Sequence, residues 1–205
     1  MHQTRQEVST FIPIKRKGTK YIARASSDVN NAVPVVLAVR DMLKLAGTAR
    51  EVKSMIHRKL LKINHGEVKD FKESIKLFNI FEADKKYVLS VEPTKKFSLK
   101  ETNAEERICK VINKKLISKG RIQLNLHDGS NVISDKKIGV GDSVYLDKNG
   151  NIKSHVACEK GAKAFVFSGK YAGKHGTIES KKENLIVLKI DKEIKSLPMR
   201  SIIVQ

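Results

Sequence analysis

The sequence predicts an α+β multidomain chain: a basic N-terminal arm over 1–33, a small helix, helix, hairpin and strand module over 34–84, a β-rich, barrel-like segment over 85–158, and a small β unit over 159–205. Three observations lead there. A helical 3.6-residue repeat is confined to residues 34–57, whereas the rest reads as short strand-like runs separated by Gly turns. The 205 residues, 40% of them apolar, suit several modest cores better than a single large one.

The arm carries Lys15, Arg16, Lys17, Lys20 and Arg24 around Gly18, followed by polar Ser26-Ser27-Asp28 and Asn30-Asn31, with no sustained periodicity. It reads as a segment that orders against a polyanion or remains a solvated terminus. Pro34 then opens a helix in which Val35, Val36, Val39, Met42, Leu43 and Ala46 form one apolar face and Arg40 and Lys44 share the opposite side. Gly47 is expected at its C′ position, and Thr48-Ala49-Arg50-Glu51 as a capping box for a second helix. That helix turns Val52, Met55 and Ile56 inward and groups Arg50, Lys53 and His57 on one side. Arg58 and Lys62 continue the basic run. A hairpin is expected at His65-Gly66, with Gly supplying a positive φ, and a strand over 75–81.

Strands are expected over 87–91 and 107–112, and over 121–127, where apolar and polar residues alternate before the turn Asp128-Gly129. Val140-Gly141-Asp142 leads into another strand, and Lys148-Asn149-Gly150-Asn151 is a turn. The last segment holds Phe165-Val166-Phe167, a loop with Gly169, Gly173 and Gly176 that presents Lys170 and Lys174, and strands over 185–190 and 201–204.

Charge narrows the function. Lys and Arg number 41 against 22 Asp and Glu, a net charge of +19. Every stretch is positive on its own account except 81–92, so the excess belongs to the whole body and not to one tail. The expected partner is a large polyanion, gripped through counterion release from phosphates; a merely solvated basic surface is the plainer alternative. The longest apolar run, 33–39, is too short to span a bilayer, and no helix has the bulky aromatic face of a membrane binder. Without an apolar block behind Met1-His2-Gln3-Thr4-Arg5, and with only Cys109 and Cys158, a cytoplasmic protein is expected. Aromatics are only 5% of residues, so recognition of folded RNA by backbone and shape is favoured over stacking of single strands.

The helix, helix, hairpin, strand order with its Arg and Lys resembles the S-four-type RNA-binding fold. The glycine loop at 169–176 resembles the KOW motif, which sits on a five-stranded barrel. Taken in order, Val39-Arg40-Asp41-Met42-Leu43, Gln123-Leu124-Asn125-Leu126-His127-Asp128-Gly129, Val140-Gly141-Asp142-Ser143-Val144 and the glycine loop resemble the small-subunit ribosomal protein S-four-e family, in its archaeal form. The resemblance implies a structural, non-enzymatic constituent of the small ribosomal subunit. It implies contact with rRNA and neighbouring small-subunit proteins, and no cofactor or small-molecule substrate. Arg40, Lys44, Arg50 and Lys53 would fall on the rRNA-contacting helices, and Lys15-Arg16-Lys17 on an arm that follows rRNA grooves.

Other chemistry finds little footing. His155 and Cys158 offer two metal ligands where a zinc site needs about four. The pair His127-Asp128 sits where a hairpin turn explains the Asp. Lys174 is followed by His175, not the Ser or Thr of a phosphate-binding P-loop. Two further classes stay open: an RNA-modifying enzyme of the pseudouridine-synthase kind, targeted by an S-four-type domain, and a KOW-type transcription or translation factor.

Overall fold

The computed structural model describes residues 2–117, 121–182, 184–191 and 193–205 and is mostly β, with few helical turns. Met1 of the expected arm lies outside them. The chain divides into two units, Met1–Asn103 and Ala104–Gln205.

In the first unit β1 (His2–Thr4) pairs antiparallel with β2 (Tyr21–Ala23), so the arm is folded instead of lacking regular structure. Val8, Ile12, Ile22 and Ala25 are buried. Phe11 packs on Phe97 with ring centres 5.6 Å apart, and its carbonyl accepts from the Phe97 N–H at 2.7 Å. These apolar residues are spaced too irregularly for a period search to find them.

β3 (Ala32–Pro34) runs into α1 (Val35–Leu37), which continues as a π-helical turn, Ala38–Met42. Residues 35–39 are buried on every side, which is why the wide turn is tolerated there. The stop differs from the sequence expectation. Lys44 adopts φ +58° and ends the helical path, so Arg40 and Lys44 do not share a helix face. Gly47 instead donates its N–H to Glu51 Oε2 at 2.7 Å. The capping box is as expected: Thr48 accepts from the Glu51 N–H at 3.2 Å and opens α2 (Ala49–His57), whose Val52 is fully buried.

β4 (Lys62–Ile63) and β5 (Gly66–Glu67) form the hairpin, but its turn is Asn64-His65, with φ of +49° and +68°. A two-residue turn of this hand needs both central residues at positive φ, which Asn tolerates well; Gly66 belongs to the strand. The strand expected over 75–81 is two strands, β6 (Ser74–Lys76) and β7 (Ile80–Glu82), parted by Phe78 at φ +59°. β6 pairs with β3, whereas β7 joins a five-stranded antiparallel sheet of order β5-β4-β7-β8-β9 with β8 (Lys86–Val91) and β9 (Phe97–Glu101). The sheet therefore runs unbroken through position 85.

Among the described residues the second unit holds two five-stranded antiparallel sheets. The first is ordered β12-β11-β10-β13-β14 and is built from β10 (Arg107–Leu116), β11 (Ile122–Leu126), β12 (Asn131–Ser134), β13 (Ser143–Leu146) and β14 (Ile152–Val156). Its core is Val111, Leu124, Leu126, Ile138, Val144 and Leu146, the alternation of β11 having placed Leu124 and Leu126 inward. The second is ordered β18-β17-β16-β15-β19, from β15 (Lys163–Val166), β16 (His175–Lys182), β17 (Leu185–Ile190), β18 (Glu193–Pro198) and β19 (Ile202–Val204). β18 packs Leu197 against the core but has no fully buried residue, being exposed or half-buried throughout, and for that reason escapes a sequence search. The Val204 N–H donates to Ser143 Oγ at 3.1 Å, tying the two sheets together. No helix among the described residues is long and apolar enough to cross a membrane.

Candidate nucleic-acid interface

The loop between β1 and β2 exposes Lys15, Arg16, Lys17 and Lys20; Arg24 follows β2 and is half-buried. Arg5, which charge counting alone did not single out, shapes this loop. Its Nε donates to Thr19 O at 2.7 Å, its Nη2 meets Thr19 Oγ1 at 3.0 Å, and its Nη1 donates to Lys15 O. Gly18 beside it takes φ +140°, a backbone conformation that side chains rarely adopt. One guanidinium thereby fixes the backbone from which Lys15 and Lys17 project.

On α2, Arg50, Lys53 and His57 are exposed, as are Arg58 just after it, Lys44 before it and Lys62 on β4. Glu51 does not sit among them as a free counter-charge. The N–H of Gly47 and the hydroxyl of Thr48 hold its carboxyl below the usual range, pinned to the helix start. Lys53 Nζ lies 4.8 Å from the centre of the Phe71 ring, which Lys72 approaches at 5.1 Å. Arg40 is half-buried and its Nη2 meets Asp41 Oδ2 at 2.7 Å, so part of its charge is answered within the chain.

The fold brings some of these groups together. A cleft of about 730 Å³ is lined by Lys15 and Lys17 from the loop, Arg40 from the π-turn, and Tyr21, Phe71 and Lys72. His57, Arg58 and Lys62 lie outside its lining. Lys72 and Tyr21 are additions of the structure: Lys72 is far from the arm in sequence, and Tyr21, within the arm, carries no charge that would have singled it out.

In the second unit Lys170 and Lys174 are exposed on the loop between β15 and β16. Gly169 and Gly173 take φ of +89° and +85° there. Gly176 serves packing: a Cβ would lie 2.8 Å from Lys189 O on the neighbouring strand. Gly176→Ala is expected to destabilise by about 1–3 kcal/mol, read as a lowered thermal midpoint of the full chain. Lys174 pairs with Asp191 at 3.1 Å on the surface, and Lys170 and Lys195 flank the Tyr171 ring at 5.9 and 6.0 Å.

One cation is not available to any partner. Lys110 is 4% exposed, and its ammonium donates to Ile202 O at 2.6 Å and to Met199 O, joining β10 to the second sheet. Burial draws its pKa down to about 8.

Asp128 does more than make a turn. It accepts from the Ser130 N–H at 2.9 Å and the Ser130 hydroxyl at 2.6 Å, and pairs with Arg107 Nη1 at 2.6 Å. Asp142 accepts from the N–H groups of Gly139 and Cys158 at 2.8 and 2.9 Å and lies 2.8 Å from His155 Nε2. His155 is thus engaged with Asp142 through its ring and Cys158 through its backbone N–H, and among the described residues no group of three or more His, Cys, Asp or Glu is placed to hold a metal. Cys109 and Cys158 are buried, and burial pushes both thiols up, away from nucleophilic thiolates.

Comparison with known proteins adds an independent line. The family profile described as Ribosomal family S4e matches residues 83–151. The small ribosomal subunit protein eS4 of Archaeoglobus fulgidus is 30% identical over 89% of this chain and 80% of its own length. That of Methanococcus maripaludis is 33% identical over 80% and 75%, respectively. A crystal structure of the 30S ribosomal protein S4e from Thermoplasma acidophilum superimposes with a TM-score of 0.74 at 27% identity, covering 85% of this chain and 94% of that one.

Proposed function

Since the chain belongs to the S4e family of ribosomal proteins, we propose that it is a structural constituent of the small ribosomal subunit, holding folded rRNA through several basic segments and supporting subunit assembly and translation. It is a structural protein and not an enzyme. Family membership gives no support to the RNA-modifying reading.

The observation that carries the rRNA assignment is the exposure of Lys15, Lys17, Arg50 and Lys53 on one unit, with Glu51 drawn away to the helix cap. Lysine and arginine in such positions neutralise phosphates, a sequence-independent grip. We read 34–84 as the S-four-type module and 159–205 as the KOW-type barrel. Arg16, Lys20, Arg24, Arg40, Lys44, His57, Arg58, Lys62, Lys170 and Lys174 complete the proposed contact set, with Gly169, Gly173 and Gly176 shaping the loop. Covalent linkage of weak modules raises their joint affinity by ~10²–10⁴ over one alone. The proposed location is the cytoplasm, on the ribosome beside other small-subunit proteins.

Replacing Arg50 and Lys53 together by Gln is expected to weaken binding to small-subunit rRNA and to flatten the slope of log K against log salt by about 1.4 to 1.8. Filter binding across a salt series measures it; an unchanged slope removes these two residues from the contact. Sedimentation of small subunits in sucrose, followed by mass spectrometry, should find one copy of the chain per particle, and its absence from salt-washed particles overturns the assignment.

A further inference from the structure

The cleft beside the arm has features that gripping a duplex from outside does not need. Its floor is apolar, with Ile22, Val36 and Leu37 buried. Its rim is cationic, with Lys15, Lys17 and Lys72 beside an Arg40 whose neighbour Asp41 is the one carboxylate among the described lining residues. Tyr21 stands at the edge with half its surface exposed, at 51%, and its ring meets His2 edge-on at 4.5 Å. Lys20 Nζ lies 5.4 Å from the same ring. At about 730 Å³ the space is of a size that takes a small organic group. Among the described residues Tyr21 is the aromatic ring left most exposed, and it stands at a cationic cleft.

We propose that this cleft receives a single unpaired nucleotide of the bound rRNA, its base stacked on Tyr21 above the apolar floor and its flanking phosphates met by Lys15, Lys17 and Lys72. The inference rests on the rRNA-binding reading and deepens it. A flat aromatic face with an apolar floor suits a base of any identity, and the lysines suit the two phosphates that flank it. A paired base cannot enter without unstacking, which selects a bulge or loop nucleotide already turned out of its helix. Arg5 keeps the lysine-bearing loop in shape, so the cleft exists before RNA arrives.

The test uses the full chain, small-subunit rRNA, filter binding over a salt series and base-specific chemical probing of the RNA. Tyr21→Ala is expected to weaken binding by about 5- to 150-fold, as loss of one base stack does, with the salt slope unchanged. Tyr21→Phe keeps a stacking face and is expected to bind like the wild type. In probing, one unpaired base should be shielded by the wild type and by Tyr21→Phe, and should regain reactivity with Tyr21→Ala while the rest of the footprint persists. Equal binding by Tyr21→Ala and wild type overturns the cleft and leaves the rRNA reading intact, whereas failure of the wild type to bind overturns the rRNA reading itself. Loss of the entire footprint in Tyr21→Ala overturns the single-base assignment. Saturable binding of free AMP or UMP at micromolar concentration also overturns it, making the cleft a mononucleotide site.

Discussion

Asp128→Ala is expected to destabilise the second unit by about 3–5 kcal/mol, the usual cost of leaving one member of a buried ion pair alone. The Asp128 side chain is 3% exposed and that of Arg107 15%, so water cannot replace the lost partner at 2.6 Å. The same substitution frees the Ser130 N–H and hydroxyl at the β11 to β12 turn, so the register of that hairpin loosens as well. Urea unfolding of the full chain, followed by circular dichroism, measures the loss. Asp128→Asn keeps an acceptor for Ser130 without neutralising Arg107 and should fall between wild type and Ala. Arg107→Met combined with Asp128→Ala should recover much of the loss, because no uncompensated charge then remains. A cost under about 1 kcal/mol for Asp128→Ala would show that the pair is solvated in practice.

Asp142→Ala is the second large effect, about 2–4 kcal/mol, because it strands the N–H groups of Gly139 and Cys158. Both aspartates also give the fold an acid limit. At Asp142, burial raises the carboxyl pKa, but the hydrogen bonds from Cys158, His155 and Gly139 together outweigh it and hold the group below its ordinary range. At Asp128, burial is likewise outweighed, by the Ser130 hydroxyl, the Arg107 charge and the Ser130 N–H. A folded pKa below the unfolded one means that the unfolded chain takes up protons first as pH falls. The stabilisation is therefore complete above about pH 4, the unfolded carboxyl's value, and is lost as pH drops through the lower folded values. Unfolding midpoints at pH 7, 5, 4 and 3 should decline steeply for the wild type below 4, and less steeply for Asp142→Ala. Parallel curves for the two proteins would remove Asp142 from the acid transition.

The turn and cap chemistry was legible in the residues. Thr48 and Glu51 form their box because the hydroxyl and carboxylate reach only the free N–H groups within a few positions. Leu124 and Leu126 face the core because strand alternation is local. The glycine loop was visible because Gly169 and Gly173 adopt angles that side chains avoid. Where several residues compete for one task, local reasoning chose the wrong member. Gly66 looked like the turn residue, yet Asn64 and His65 carry the positive φ; Gly47 looked like the helix stop, yet Lys44 makes it. Sterics disfavour those angles at Lys and His, and the strand pairing and helix entry they join override that local preference.

By itself the sequence determined the family, the excess of positive charge and the strand-rich character, since each is carried by composition, short motifs and local periodicity. Only the tertiary structure decided which charges face outward and which groups share a site. It buried Lys110 against the carbonyls of Met199 and Ile202, spent Asp142 on three donors, and folded the arm so that Lys15, Lys17 and Tyr21 meet Phe71 and Lys72 around one cleft. Burial and adjacency arise from contacts between residues tens of positions apart, and no local pattern in the chain encodes such contacts.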